Sequence, residues 1–236
     1  MKRIAMGIDR EPRWARRLAD GVRRLGWPEA SVGRLLGAAE IVSFAPGRVI
    51  YREGSAATRL FWMLDGVAKL FVPGAKGRRV LVSLAKPGAL LGSHLVVGGR
   101  RLDCAIALTP IGAAALEVEE FQAITAELPA AIVQRMTRAT LDYSSRAFAR
   151  AVRLLTLDLR GKLALALLDL ADGFGVADAD GRLLKIRLTH EDLAELTGIS
   201  RARVTEVLKE FAARGAIVRR GRDLVVRPEH LREIDS

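Results

Sequence analysis

The sequence contains one cysteine, Cys104, and three histidines that lie far apart along the chain. A single cysteine excludes an intrachain disulfide. It also excludes an iron–sulfur cluster held by the cysteines of one chain, because such clusters need several thiolate ligands. His94, His190 and His230 lack the His-x-x-x-His spacing that places two imidazoles on one face of a helix. We therefore predict neither a disulfide nor a zinc site.

Long apolar runs and acidic residues are also scarce. No apolar run approaches the roughly 20 residues that a membrane-spanning helix needs, and no signal-peptide pattern opens the sequence. The 27 acidic residues are outnumbered by 38 Lys and Arg, which gives a formal net charge of +11. Such an excess favours a polyanionic partner through counterion release. We expect a cytoplasmic protein that binds nucleic acid and no membrane.

The stretch from Leu188 to Val226 has the pattern of two short helices joined by a tight turn and followed by a two-stranded hairpin. Thr189 and Asp192 have the spacing of a capping box at the start of the first helix. Gly198 permits the turn, and Ser200 caps the second helix. The apolar stripe of the second helix has the three- and four-residue spacing of a buried face. Its members are Val204, Val207, Leu208 and Phe211. This pattern predicts a winged helix-turn-helix, which is a DNA-binding unit.

The other side of the second helix carries residues suited to the edges of bases. An arginine donates two hydrogen bonds to guanine, a glutamate accepts one from the cytosine amino group, and a threonine contacts a base or a phosphate. These residues are Arg201, Ala202, Thr205, Glu206 and Lys209. The hairpin turn adds Arg220 and Arg222 as a basic wing. Because caps, turn glycine and wing coincide within about forty residues, we interpret this side as a surface for double-stranded DNA rather than a merely solvated face.

The periodicity divides the chain into four segments. Residues 1–38 have the pattern of one or two amphipathic helices interrupted at Trp27-Pro28, and residues 39–127 consist of short apolar runs separated by glycines, which predicts an all-β barrel or jelly roll. Residues 128–158 predict a long helix whose regularly spaced seam we interpret as a homodimer interface. The predicted interface residues are Val133, Met136, Thr140, Tyr143, Ala147 and Leu154. Residues 159–236 begin with a second helix and a polar loop at 177–182, which lead into the winged helix-turn-helix.

The order of these segments resembles the family of bacterial transcription regulators typified by the cyclic-AMP receptor protein and the fumarate–nitrate reduction regulator (CRP/FNR). The resemblance runs from about residue 38 to the end and rests on PGRVIYREGS, LFWMLDGVAKL, PGALLG, LDLRGKLALALLDLA and LTHEDLAELTGISRARVTEVLKEF. It implies an α+β fold: an N-terminal cyclic-nucleotide-binding-like β-roll (jelly roll), a long dimerisation helix and a C-terminal winged helix-turn-helix. In such homodimers an effector in the β-roll changes the disposition of the long helices, and RNA polymerase is a partner that the resemblance allows.

The resemblance also assigns roles in DNA recognition. It implies that Thr189, Ser200 and Arg203 contact phosphates and that Arg201 reads a guanine. Glu206 stands where the family usually has a second base-reading arginine, and Ala202 stands where a glutamate is common. Because a carboxylate prefers the cytosine amino group and alanine offers only an apolar contact, we expect a palindromic target whose half-sites differ from the family's usual sequence. The half-sites are expected about one helical turn apart.

The predicted effector pocket departs further from the family. In cyclic-nucleotide-binding members, the turn that ends here at Gly92 is followed by a glutamate for the ribose and then by an Arg-Ser pair for the cyclic phosphate. An ungapped alignment places Ser93, Asp103 and Cys104 at those positions, and Ala147-Phe148 at the Thr-Ser pair that meets the adenine. A carboxylate repels a phosphate, and the loss of one partner of a buried charge pair costs roughly 2–5 kcal/mol. We therefore expect a small effector other than cyclic AMP, or none.

Alternatives remain for this pocket. A shortened turn would return Arg100 or Arg101 to the phosphate site and make the protein cyclic-nucleotide-gated. His94 lies two residues after Gly92, where carbon-monoxide-sensing haem members of the family place a haem ligand, and imidazole is a common axial ligand. Cys104 is either an ordinary small buried residue or a redox-sensitive thiol. An enzyme is not expected, because the sequence shows no acid pair tied to a histidine or a nucleophilic serine and no phosphate-binding GxxxxGK[ST] loop.

Overall fold

The computed structural model describes residues 12–74, 79–92, 99–221 and 223–235. The chain forms two compact units. The first contains Met1–Val72 and Ser83–Leu141, and the second contains Pro73–Val82 and Asp142–Ser236.

Two helices open the described part of the first unit, α1 (Arg13–Arg24) and α2 (Glu29–Ala38). Each follows a proline, Pro12 or Pro28, whose fixed φ suits the start of a helix. Their apolar sides enter one core together with Trp27. The helix residues buried there are Leu18, Ala19, Val22, Val32 and Leu35. The sequence predicted one or two helices here, and the structure has two, with Trp27 and Pro28 between them.

Eight strands between Glu40 and Glu117, most of them in the first unit, form a two-sheet β-roll. They are β1 (Glu40–Phe44), β2 (Val49–Tyr51), β3 (Arg59–Asp65), β4 (Ala68–Pro73), β5 (Arg79–Ala85), β6 (Leu90–Leu91), β7 (Cys104–Ala107) and β8 (Ile111–Glu117). One sheet has the order β1-β8-β3-β6, and the other has the order β2-β7-β4-β5. Small buried residues such as Ala105 and Ala113 bring the two sheets around one shared core. The predicted jelly-roll architecture is confirmed.

The β-roll is followed by α3 (Val118–Ala126) and by the long helix α4 (Ala130–Thr156), which has 27 residues. The carbonyl of Pro129 accepts hydrogen bonds from the backbone N–H groups of Ile132 and Val133 in the first turn of α4. Ile132 is buried in the core that contains α1 and α2. Beyond this first turn, most α4 side chains are exposed, which is unusual for a helix that carries several large apolar residues.

The second unit combines helices with a small sheet. Its helices after α4 are α5 (Leu159–Phe174), α6 (His190–Thr197), α7 (Arg201–Ala213) and α8 (Pro228–Asp235). Its strands are β9 (Gly175–Asp178), β10 (Gly181–Leu184), β11 (Ile217–Arg220) and β12 (Asp223–Val226), and the sheet order is β11-β12-β10-β9. The Oδ1 of Asp158 accepts the backbone N–H of Gly161 at 2.8 Å and caps α5.

The polar loop predicted at residues 177–182 is wrong, because these residues belong to the β9–β10 hairpin. Asp178 Oδ1 accepts the backbone N–H of Asp180 at 3.1 Å across the turn, and Gly181 has φ +139°, a value that favours glycine. Each strand has only four residues, too few for an alternating pattern to be visible in the sequence. The wing is therefore part of a four-stranded sheet rather than an isolated hairpin.

Candidate nucleic-acid interface

The first helix of the helix-turn-helix, α6, begins with the predicted capping box. Thr189 Oγ1 accepts the backbone N–H of Asp192 at 3.1 Å, and Asp192 Oδ2 accepts the backbone N–H of Thr189 at 2.8 Å. Two N–H groups at this helix end are thereby satisfied. Thr189 is exposed, while Asp192 is buried. The capping box thus fixes Thr189 at the surface, where a phosphate contact is predicted.

The second helix, α7, is held by a turn and a buried stripe. Gly198 has φ +74°, a left-handed conformation that costs glycine little, and Ser200 Oγ accepts the backbone N–H of Arg203 at 3.4 Å. The stripe predicted from the spacing is buried. Its members are Val204, Val207, Leu208 and Phe211. With this side fixed inward, the opposite side of α7 must face outward.

The outer face of α7 carries most of the predicted DNA-binding residues. The exposed ones are Arg201, Ala202, Arg203, Glu206 and Lys209, together with the cap Ser200. Arg203 donates to Glu206 Oε2 at 2.8 Å. An exposed ion pair of this kind contributes about 0–1 kcal/mol, so Arg203 and Glu206 separate at little cost when a phosphate or a base competes for them.

Thr205, the remaining predicted residue of α7, is half-buried and faces His190 of α6. Its Oγ1 lies 2.8 Å from His190 Nδ1 and donates to the carbonyl of Arg201 at 3.0 Å. The other ring nitrogen, Nε2, lies 3.0 Å from a guanidinium nitrogen of Arg219 in β11. Burial, followed by the charges of Arg219 and Arg201, holds the pKa of His190 below its ordinary value. His190 thus connects α6, α7 and the wing.

The two arginines at the end of β11 have different surroundings. Arg219 contacts His190, whereas Arg220 forms ion pairs with Asp178 at 3.0 Å and with Asp180. Successive side chains of a strand point to opposite faces, so only one of the two arginines lies beside the recognition helix. Arg220 was the predicted wing contact, and Arg222 lies outside the described residues. Strand alternation was the available signal that would have separated Arg219 from Arg220.

In the β-roll, Asp103 is buried rather than open to a ligand. Tyr51 donates its hydroxyl to Asp103 Oδ2 at 3.1 Å. Burial, followed by the Asp103 charge, raises the pKa of Tyr51 above its ordinary value, so the phenol remains protonated. Cys104, the next residue, is half-buried at the start of β7.

A second charged residue, Arg101, is buried beside this pair and is only 5% exposed. Its guanidinium carbon lies 4.1 Å from the centre of the Tyr51 ring, and one terminal nitrogen donates to the carbonyl of Arg59 at 2.9 Å. Its Nε and its other terminal nitrogen have no hydrogen-bond partner among the described residues. Burial lowers the pKa of Arg101, but an arginine stays charged in proteins. Two buried donors of a cation are therefore left for an acceptor that the described chain does not supply.

Of the other residues predicted for the effector pocket, the structure describes Gly92, Ala147 and Phe148. Gly92 directly follows β6 and has φ +75°. Ser93 and His94 lie outside the described residues. Ala147 and Phe148 are on the part of α4 that belongs to the second unit, and both are exposed, Phe148 by 73%.

The exposed apolar side chains of α4 form a single stripe. They are Val133, Leu141, Phe148, Val152 and Leu155. Leu141 is 62% exposed and Leu155 is 83% exposed. Large apolar side chains that are exposed together along one element indicate an interaction surface.

Most residues of this stripe lie one position after a residue of the predicted seam. One position corresponds to a rotation of about 100° around the helix, so the two sets lie on different sides of α4. On the side of the predicted seam, Met136 packs partly against the first unit's core, and Arg150 donates to Asp169 of α5 at 2.6 Å. Leu154 is half-buried. Thr140 and Ala147 are exposed, and the side chain of Tyr143 lies outside the described residues. Apart from Val133, the predicted seam therefore does not coincide with the exposed stripe.

Two family models match the chain. The cyclic nucleotide-binding domain matches residues 41–127, which cover the β-roll, and the Crp-like helix-turn-helix domain matches residues 161–234. The matched segments define a class of protein, the DNA-binding transcription regulators that join a β-roll to a winged helix-turn-helix.

Known relatives agree with this class, and a solved structure has the same fold. The Cyclic AMP receptor protein of Thermus thermophilus is 30% identical over 182 residues, 74% of this chain and 77% of that protein. The CRP-like cAMP-activated global transcriptional regulator of Mycobacterium tuberculosis is 27% identical over 186 residues, 78% of this chain and 83% of that protein. The structure of FixK2 from Bradyrhizobium japonicum has a TM-score of 0.74 at 18% identity and covers 84% of this chain and 98% of that one.

The chain belongs to the CRP/FNR family of transcription regulators. Members of this family are regulators of transcription rather than enzymes. In the described part of the chain, no helix is long and apolar enough to cross a membrane. The same residues hold no cluster of three or more His, Cys, Asp and Glu side chains suited to a metal ion.

Proposed function

We propose that this protein is a homodimeric, sequence-specific regulator of transcription that acts in the cytoplasm by binding palindromic double-stranded DNA. The observation that carries this proposal is the outer face of α7, where Arg201, Arg203 and Lys209 are exposed above a fully buried stripe. A helix fixed in this way presents its side chains to the major groove with little loss of conformational freedom. RNA polymerase is a further partner of the bound dimer in this proposal.

The test is a selection of binding sites from random duplex DNA by the purified protein. We expect a palindrome whose half-sites lie about one helical turn apart. In a parallel selection, Glu206→Arg should change the preferred base at one position of each half-site, because an arginine prefers guanine where a glutamate prefers the amino group of cytosine. Lys209→Ala should weaken DNA binding without changing the selected DNA motif. If the recovered DNA shared no sequence motif, the proposed function would be contradicted. If Glu206→Arg selected the same motif as the wild type, the role of Glu206 would be contradicted.

The dimer in this proposal forms through the exposed stripe of α4. Leu141, Phe148 and Leu155 are the most exposed apolar side chains of that helix, and their pairing with a second copy would remove them from water at about 25 cal/mol for each Å² buried. The seam predicted from spacing is less suited to this role, since Met136 and Arg150 already have partners within the chain.

A negative charge introduced at single positions of the stripe tests this arrangement. Phe148→Glu and Leu155→Glu should convert the dimer to a monomer in sedimentation experiments, because a carboxylate in an apolar interface lacks a partner. Ala139→Glu is the matched control, since residue 139 is exposed on the opposite side of α4. A dimer that survives both stripe variants but not Ala139→Glu would place the interface elsewhere on the helix.

For the effector we propose a small molecule other than cyclic AMP. Asp103 supports this proposal, because the ungapped alignment puts a carboxylate at the position of the family's phosphate-binding arginine, and that carboxylate is buried and accepts the hydroxyl of Tyr51. A second candidate is an anionic effector, including a cyclic nucleotide held by a shifted turn. It is supported by the buried Arg101, two of whose nitrogens lack a partner in the described part of the chain. Haem binding through His94 is a third candidate, and no described side chain bears on it.

Titration calorimetry with cyclic AMP and cyclic GMP, on a sample whose visible spectrum is recorded first, separates these candidates. Absence of binding is the expected result. Binding that is lost in Arg101→Gln but retained in Arg100→Gln would instead support the shifted turn, since Arg100 is exposed and donates to the carbonyl of Gly54 at 2.9 Å. A Soret band would support haem.

A further inference from the structure

His190 is the centre of a chain of hydrogen bonds whose directions are determined by chemistry. The guanidinium of Arg219 can only donate, so His190 Nε2 must accept across the 3.0 Å contact. The ring is therefore neutral with its proton on Nδ1, which donates to Thr205 Oγ1 at 2.8 Å. The hydroxyl of Thr205 in turn donates a hydrogen bond to the carbonyl of Arg201 at 3.0 Å. The wing, the first helix and the recognition helix are joined through one imidazole.

The surroundings of this imidazole are cationic. The charged groups that act on His190 are Arg219 from β11 and Arg201 from α7. Arg219 and Arg201 are exposed, and neither forms an ion pair with another residue in the described ranges. This contrasts with Arg220, which is occupied by Asp178 and Asp180. Two exposed arginines beside a half-buried histidine supply the positive charge that a single phosphate requires.

We propose that Arg219 and His190 bind one backbone phosphate of DNA, and that His190 takes up a proton from solvent when this phosphate binds. The proposal rests on the proposed DNA-binding function and adds a contact site and a linked proton to it. On binding, Arg219 turns its guanidinium to a phosphate oxygen, and Nε2 changes from acceptor to donor toward the same group. The Nδ1 donation to Thr205 is the same in both protonation states, so His190 also acts as a positioning residue that keeps α6 in place against α7.

The direction of the pH dependence follows from the charges. In the unbound protein, burial and the two arginines hold the pKa of His190 below its ordinary value, whereas a bound phosphate stabilises the imidazolium and raises that pKa. Binding therefore consumes a proton in the window between the two values, and DNA affinity rises as the pH falls through it. One linked proton limits the effect to tenfold per pH unit, and we expect about five- to tenfold tighter binding at about pH 6 than at about pH 8.

The experiment measures the dissociation constant of the full-length protein for the selected palindrome and for an unrelated duplex of about 30 base pairs. The wild type should gain affinity for both duplexes on acidification, because a phosphate contact is independent of sequence. His190→Gln keeps an amide that hydrogen-bonds but does not titrate, so its affinity should be nearly constant with pH. His230→Gln is the matched control, since His230 is exposed on α8 of the same unit, and it should retain the wild-type slope. Arg219→Gln should weaken binding to both duplexes. It should also reduce the slope of log affinity against log salt concentration by about one.

Three outcomes would overturn the proposal. A flat wild-type profile, a slope of the opposite sign, or a slope that persists in His190→Gln would show that His190 does not take up the proton. An NMR titration of the wild-type imidazole, free and bound to the unrelated duplex, gives the same answer if His190→Gln is poorly folded, because the bound pKa must exceed the free one. Failure to bind either duplex at any pH would instead count against the proposed function itself.

Discussion

The two units use arginine in opposite ways. In the β-roll, Arg101 is buried against the Tyr51 ring, and two of its nitrogens have no hydrogen-bond partner among the described residues. On the recognition helix, Arg201 is exposed, and its backbone carbonyl accepts the hydroxyl of Thr205. An exposed guanidinium keeps its water until a partner displaces it, so its charge costs little. A buried guanidinium has already lost that water and needs acceptors in exchange. The exposed guanidinium of Arg201 can therefore meet an external anion at little cost, whereas the buried guanidinium of Arg101 needs further acceptors close by.

The same difference recurs between neighbours in the sequence. Arg219 and Arg220 are adjacent, but the alternation of β11 directs one to His190 and the other to Asp178 and Asp180. The hydrogen bond from Arg220 is the main cause that lowers the pKa of Asp180. Arg220 is therefore held by two carboxylates of the β9–β10 hairpin, whereas the guanidinium of Arg219 contacts only the neutral ring of His190 among the described residues.

The largest expected effect concerns the buried side of the recognition helix. Phe211→Ala should destabilise the protein by about 3–5 kcal/mol, because Phe211 is completely buried and its removal leaves a cavity. Chemical denaturation followed by circular dichroism measures this loss. Lys209→Ala on the exposed side of the same helix is the control and should change stability by less than about 0.5 kcal/mol. Similar losses for both variants would contradict the division of α7 into a buried and an exposed side.

The next effect tests the buried polar cluster of the β-roll. Tyr51→Phe should cost about 1–3 kcal/mol of unfolding free energy, because it leaves the Asp103 carboxylate buried without the tyrosine hydroxyl. In the background of Asp103→Asn, the same substitution should cost less, since a neutral amide needs the donor less than a carboxylate does. Additive losses in this double-mutant cycle would show that the 3.1 Å contact contributes nothing.

A third effect should appear in DNA affinity and hardly in stability. Arg201→Ala should weaken binding to the selected palindrome by about 1–3 kcal/mol and leave binding to unrelated DNA nearly unchanged, because a base contact carries sequence information. Competition binding with the two duplexes measures the difference. Equal losses on both duplexes would reduce Arg201 to a phosphate contact.

The smallest expected effect is on the surface ion pair of α7. Arg203→Ala removes the contact with Glu206 and should alter the unfolding free energy by less than about 1 kcal/mol, because both groups are exposed. Its effect on DNA should be a uniform loss of affinity with a lower salt dependence, as expected for a phosphate contact. A large loss of stability would show that this pair holds the helix rather than meeting a ligand.

Much of the fold was predictable because its signals are local. The capping box of Thr189 and Asp192, the turn at Gly198 and the stripe that includes Phe211 each depend on residues a few positions apart, and all of them are present in the structure. The β9–β10 hairpin was missed because four-residue strands carry too little periodicity. The exposed stripe of α4 was displaced by one residue from the predicted seam because spacing identifies an apolar side without saying what covers it.

The sequence by itself determined the order of the elements, the buried side of α7 and the excess of positive charge, since these follow from periodicity, capping and composition. Tertiary structure decided which arginine serves which purpose. Arg101 became buried through the approach of Tyr51 and Phe61, Arg220 became structural through the β9–β10 turn, and His190 acquired Arg219 and Thr205 as partners from 29 and 15 residues away. Side-chain partners at such separations depend on how the elements pack, and no local pattern in the sequence encodes that packing.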